Sequence, residues 1–251
     1  MTVSTATLEW RYQPVNLLGA AQTMEAHGAI VTIGDGVIRA EIEATHYQAD
    51  RALTEKLQRV INARLAPYAY QCAEPVIVDT YPTLTITHAD GRPREIHVDS
   101  FISLRITDTV DIQIYRDDIL IQDTAQERDA SQKAEAELLS KHANDDLLSR
   151  LLVSNTMARH NHENEFTHLY EILEALQARF GKPPRLTDAL NIEKSKIGKF
   201  HAVCNVPTTV SRHRGQTSGL LRPPTAEEFT HARSFAWEMI LAYARWLEAN
   251  P

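Results

Sequence analysis

The feature that most constrains this chain is a change of hydrophobic period near residue 123. Before it, apolar residues alternate with polar ones or sit in short β-branched runs; after it, they recur every three to four residues. A period of two puts alternate side chains on opposite faces of a strand, and a period of 3.6 builds one face of a helix. A chain that carries first one pattern and then the other is directed toward a sheet followed by helices. With 251 residues there is enough length for two cores. The expectation is an α+β protein: residues 1–122 form a mostly antiparallel sheet with one packed helix, and residues 123–251 form a four- to five-helix bundle.

The local signals agree with this division. Ala29–Ile33 and Val37–Ile42 flank Gly34-Asp35-Gly36, residues that accept the positive φ of a tight hairpin turn. Leu84–Thr87 and Glu95–Val98 flank Ala89-Asp90-Gly91 in the same way. Val76–Val78, Phe101–Ile106 and Thr109–Tyr115 read as further strands, with Asp108 at a turn. Between His46 and Leu65, Leu53, Leu57, Val60, Ile61 and Leu65 have helical spacing. In the second half, Ala125–Lys141 is rich in helix formers. Asp145-Asp146 starts a helix carrying Leu147, Leu148, Leu151, Leu152 and Met157. Glu163–Phe180 follows and is ended by Gly181, Pro183 and Pro184; Glu193–Cys204 is a shorter helix, and 207–224 a loop. Thr225-Ala226-Glu227-Glu228 is a capping-box pattern opening the last helix, whose apolar face runs from Phe229 to Leu247.

Several function classes drop out on motif grounds. No phosphate loop, G-x-S-x-G elbow, C-x-x-C or H-E-x-x-H occurs. No run approaches 18 apolar residues, the first twenty residues have no signal-peptide pattern, and Cys72 and Cys204 lie far apart. These features predict a cytoplasmic protein with free thiols and no membrane partner. His160, His162 and Glu163 have ligand chemistry, but residues two apart point to different faces of a helix, so they read as a polar helix junction. Asp108, Asp111, Asp117 and Asp118 read as turn and edge-strand charges. No metal and no cofactor is therefore expected. Tyr47, Tyr68, Tyr70 and Tyr81 read as core or interface aromatics.

Charge supplies the positive clue. The net charge is −7, yet Lys194, Lys196, Lys199, Arg212, Arg214 and Arg222 fall in one stretch without an acidic residue, and His201 and His213 lie in it too. Such a stretch makes a phosphate-attracting patch if its residues share a face. The competing reading of the stretch is a solvated lysine face plus an arginine-rich loop, and that of Ser211–Gly215 pairs its arginines with acids of the last helix, such as Glu227 or Glu228. In Ser211-Arg212-His213-Arg214-Gly215, arginines beside a histidine offer a phosphate anchor and a proton-transfer group in one loop.

Residues 163–249 resemble HEPN-type helical domains of prokaryotic abortive-infection and toxin-like proteins. The resemblance is carried by the helix with Leu169-Tyr170-Glu171-Ile172-Leu173-Glu174, then Phe180-Gly181, the Leu190-Asn191-Ile192 element and a helix ending at Asn205. It continues through the Arg212-His213-Arg214-Gly215 loop and a last helix that closes with Ala242-Tyr243-Ala244-Arg245-Trp246-Leu247. It implies a defence or stress-response role, a homodimer formed through the helical bundle, and RNA or a nucleotide as partner. If the chain is an enzyme, it implies a metal-independent endoribonuclease. Arg212 and His213 would then be catalytic, and Arg214, Lys194, Lys196, Lys199 and Arg222 would hold nucleic acid. The family's usual signature, an arginine, four to six intervening residues and a histidine, is not met in this loop: Thr217, Ser218 and Gly219 stand at those places after Arg212, and Gly219, Leu220 and Leu221 after Arg214, while Arg39 to His46 and Arg92 to His97 fit the spacing only in the strand-rich half and count as chance. Two alternatives stay open. One is a non-catalytic binding or scaffold module using residues 194–222, with a protein partner for the sheet. The other is a small-molecule sensor or enzyme with a pocket between the two halves.

Overall fold

A computed structural model describes residues 4–72, 74–87, 93–96, 113–116, 119–205, 208–212, 215 and 220–250. The expected turn at Ala89-Asp90-Gly91, the strand at Phe101–Ile106 and the acidic residues Asp108, Asp111, Asp117 and Asp118 lie outside them. The chain forms two compact units, Met1–Ala134 and Glu135–Pro251.

In the first unit, β1 (Thr5–Gln13), β2 (Gln22–Ala26), β3 (Ala29–Gly34), β4 (Val37–Glu43), β6 (Thr83–Thr87) and β7 (Pro93–Ile96) make an antiparallel sheet in the order β2-β3-β4-β1-β6-β7. β5 (Ile77–Val78) pairs with the far end of β1. β8 (Gln113–Arg116) and β9 (Ile119–Asp123) pair with each other. The expected β3–β4 hairpin is present, and its two turn residues, Asp35 and Gly36, both have positive φ (51° and 76°), as a two-residue turn of this hand requires.

Alternation decides which face is buried. Ala6, Leu8, Trp10 and Tyr12 of β1 point inward beside Val31 and Ile33 of β3 and Ile38, Ala40 and Ile42 of β4. Leu53, Leu57, Ile61 and Leu65, one turn apart on a helix, close over this face. The helix expected over His46–Leu65 is two helices, α1 (Ala44–Ala49) and α2 (Leu53–Gln71). Asp50 causes the break: its carboxylate accepts the Ala52 amide (3.0 Å) and pairs with Lys56 (2.7 Å). The Lys56 ammonium holds the Asp50 carboxyl below its usual range. α2 also runs through Pro67 rather than stopping near it. Of the four tyrosines, Tyr68 is buried and accepts a hydrogen bond from Gln22, whereas Tyr81 is exposed.

The helical region comprises α3 (Thr124–Lys141), within which the division between units falls, then α4 (Asp146–His160), α5 (Glu165–Phe180), α6 (Arg185–Leu190), α7 (Lys194–Asn205) and α8 (Ala226–Ala249). Asp145 caps α4 by accepting the Leu148 amide at 2.7 Å. The Thr225–Glu228 capping box at α8 is present in full. Leu148 and Leu151 of α4, Phe166, Leu169 and Leu173 of α5, Phe200 of α7, and Phe235, Met239 and Ile240 of α8 fill the core. Glu165 is 0% exposed within this apolar surrounding. It is held by two hydrogen bonds from the Arg233 guanidinium, with His162 Nδ1 at 3.2 Å.

Candidate nucleic-acid interface

The loop after α7 is pinned by its own small polar residues. Ser211 Oγ donates to the Thr208 carbonyl (3.0 Å) and accepts the Thr208 amide (3.2 Å), while Thr208 bridges to Arg222. This turn delivers Arg212, whose amide donates to the Cys204 carbonyl at the end of α7 (3.2 Å). The Arg212 side chain then reaches α5. Its guanidinium carbon lies 4.7 Å from the Tyr170 ring centre, and Nη2 is 2.8 Å from Glu174. His201, on α7, meets the same tyrosine ring edge-on at 5.7 Å, and Phe200 stacks parallel to it at 6.2 Å. Tyr170 is therefore a buried plate with a cation on its face and an imidazole near its rim.

The other basic residues are placed differently. Arg222 is tied to Glu228, whose carboxyl is held at about 2 chiefly by that guanidinium and also by the Thr225 amide. Lys196 pairs with Glu238 (2.8 and 2.9 Å), which raises the lysine above its ordinary value. Lys194 and Lys199 are exposed on α7 and carry no ion pair among the described residues. His213 and Arg214 lie outside the described residues. The structure thus brings Arg212 together with His201, Tyr170 and Glu174. It ties Arg222 to Glu228 at the α8 cap and Lys196 to Glu238.

The histidine run is a polar junction. His160 Nδ1 meets the Thr156 carbonyl, His162 meets Glu165, and His168 meets Glu171. Among the described residues, no group of three histidine, cysteine or acidic side chains is placed to hold a metal ion. Neither Cys72 nor Cys204 is in a disulfide, and burial pushes the Cys204 thiol up, away from reactivity.

A second feature had no signal in the sequence. A cleft of about 620 Å³ opens between the start of α4, α5 and α8, lined by Asn144, Asp145, Asp146, Arg150, Arg179 and Tyr243. Ala175 and Ala178 of α5 border it and leave it room. The Tyr243 hydroxyl donates to Asp145 Oδ1 (3.1 Å), and burial together with the Asp145 charge pushes the phenol up to about 12. Arg179 lies over the Trp246 ring at 5.6 Å. Its residues are spread over three helices, so no local motif marks it.

The fold and this surface define an α+β protein with an N-terminal antiparallel sheet and a C-terminal helical region. Compared with known protein families, curated proteins and solved structures, the chain matches none. Among the described residues no helix is long and apolar enough to cross a membrane.

Proposed function

We propose that this chain is a HEPN-like protein with a nucleic-acid-directed role in prokaryotic defence or stress response, and that its helical unit engages RNA at the surface carrying Arg212. The observation that supports this reading is the seating of Arg212 on Tyr170 beside His201. The Tyr170 ring and the Glu174 carboxylate, which takes Nη2, hold the guanidinium in one orientation, from which its other N–H groups can reach a phosphate. The exposed Lys194 and Lys199 on α7, without an ion pair among the described residues, add positive charge to the same unit. The resemblance also brings a homodimer, and the exposed apolar pair Val153 and Met157, one turn apart on α4, suits such a contact.

Metal-independent cleavage is the second reading, favoured by the placing of an imidazole and a guanidinium on one ring. In it, His201 accepts the proton of the attacking 2′-hydroxyl as the new P–O2′ bond closes a 2′,3′-cyclic phosphate and the P–O5′ bond breaks, the leaving 5′-oxygen takes a proton from water, and Arg212 balances charge on the phosphate; His201 is thus a second imidazole candidate beside the His213 expected from the sequence. One experiment tests both. Labelled single-stranded RNA is titrated with the full chain in EDTA, at low and high salt, and the same samples are run on a gel. Binding that weakens with salt and is lost in Arg212→Ala supports the interface. RNA shortened by the wild type but not by His201→Ala supports cleavage. Absence of binding at low salt overturns the proposal.

A further inference from the structure

We propose that the cleft between the start of α4, α5 and α8 binds a phosphorylated sugar, the ribose-phosphate part of a ribonucleotide. The choice of ribonucleotide among sugar phosphates rests on the nucleic-acid reading above; the site itself rests on the cleft. At about 620 Å³ it lies within the size range of small-molecule sites.

Its cations differ from the ion-paired ones of this unit. Arg212, Arg222, Arg233 and Lys196 each face a carboxylate. Arg150 and Arg179 line the cleft and have no carboxylate at ion-pair distance among the described residues. Arg150 donates only through Nε, to the Asp146 carbonyl at 3.3 Å. The Arg179 guanidinium carbon lies 5.6 Å from the Trp246 ring centre, and among the described residues its N–H groups have no hydrogen-bond partner. Two guanidinium forks at one opening suit a phosphate, which each can hold through paired hydrogen bonds.

The acidic residues of the cleft select the rest of the ligand. Asp145 Oδ1 accepts from the Leu148 amide and the Tyr243 hydroxyl, whereas Oδ2 has no donor among the described residues. An ionised carboxylate accepts only, so its natural ligand partner is a hydroxyl. A bare anion would meet Asp145 and Asp146 unfavourably; a phosphate carrying sugar hydroxyls satisfies both signs. Tyr243, a neutral phenol donating to Asp145, adds no further negative charge.

The ribose phosphate could arrive as a free nucleotide or as the 5′ end of an RNA. Calorimetric titration of the full chain therefore uses AMP, ribose 5-phosphate, inorganic phosphate, and one short RNA with either a 5′-phosphate or a 5′-hydroxyl. AMP and ribose 5-phosphate should bind and inorganic phosphate should bind more weakly. Arg150→Gln and Arg179→Gln, both at exposed positions, should each weaken AMP by roughly tenfold or more, the size of a lost charge-assisted contact. Ala178→Glu, at an exposed position of the cleft wall, should weaken it as well. A preference for 5′-phosphorylated RNA assigns the RNA end, and AMP binding without that preference assigns the free nucleotide. AMP binding without any RNA binding keeps the cleft and removes the interface reading. RNA binding that ignores the 5′-phosphate together with no AMP binding, or AMP or 5′-phosphate binding that ignores all three substitutions, overturns the cleft and leaves the interface reading standing.

Discussion

The Glu165–Arg233 pair gives the sharpest test of how the helical unit is held together. Glu165 is 0% exposed at its place in α5, while the Arg233 side chain is 40% exposed on α8. The two partners are therefore not equivalent. Arg233→Met removes the guanidinium, whose carbon lies 5.0 Å from the Phe229 ring centre, and strands a carboxylate inside the protein with His162 as its remaining side-chain partner among the described residues. Breaking a buried pair in this way costs about 3–5 kcal/mol. Glu165→Gln keeps the buried shape and an acceptor, and its former partner can turn to water, so the loss is about 1–2 kcal/mol. The double variant contains no buried charge to strand. It should be more stable than Arg233→Met alone by about 1–3 kcal/mol, a positive coupling that a simple count of lost contacts would not give. Urea unfolding of the four proteins, followed by far-ultraviolet circular dichroism and by tryptophan fluorescence, reads these differences. If Arg233→Met costs no more than Glu165→Gln, or if the double variant is the least stable of the set, the reasoning from burial is refuted.

Two further outcomes follow from the local geometry. Gly36 has a φ of 76°, and a Cβ there would lie 2.6 Å from a Val15 methyl, so Gly36→Ala should cost about 1–2 kcal/mol in thermal unfolding of the sheet unit; an unchanged midpoint would contradict the turn assignment. Glu228 titrates near 2 in the folded chain against 4.5 ordinarily, so its stabilising effect is complete above about 4.5 and is lost as pH falls toward 2. Glu228→Gln should accordingly be less stable than wild type by about 1 kcal/mol at neutral pH, with the gap closing near pH 2; a gap that persists there would contradict the pairing with Arg222.

What the sequence revealed tracked how local the cause was. The β3–β4 hairpin and the α8 capping box depend on residues within a few positions of each other, and both were legible. β1 was readable in principle, since Ala6, Leu8, Trp10 and Tyr12 alternate strictly with more polar residues. β2 was not: it is an edge strand whose side chains alternate between half-buried and exposed, so Gln22, Thr23 and Glu25 break any apolar pattern. The break at Asp50 comes from a side chain competing for backbone hydrogen bonds, which hydrophobic spacing does not register. The same limit governs the sites. Arg212 stood out by its basic neighbours, but Tyr170 and Glu174, which fix its direction, lie some forty residues upstream on α5. Arg150 and Arg179 share a cleft only because α4 and α5 pack side by side.

The most direct test of the proposed function is the binding of single-stranded RNA to the full chain in EDTA, measured by fluorescence anisotropy for the wild type and Arg212→Ala. The account predicts salt-sensitive binding by the wild type, weakened roughly tenfold or more in the variant, as loss of a charge-assisted phosphate contact requires. Equal affinity in the two proteins, or no binding by either at low salt, would contradict it.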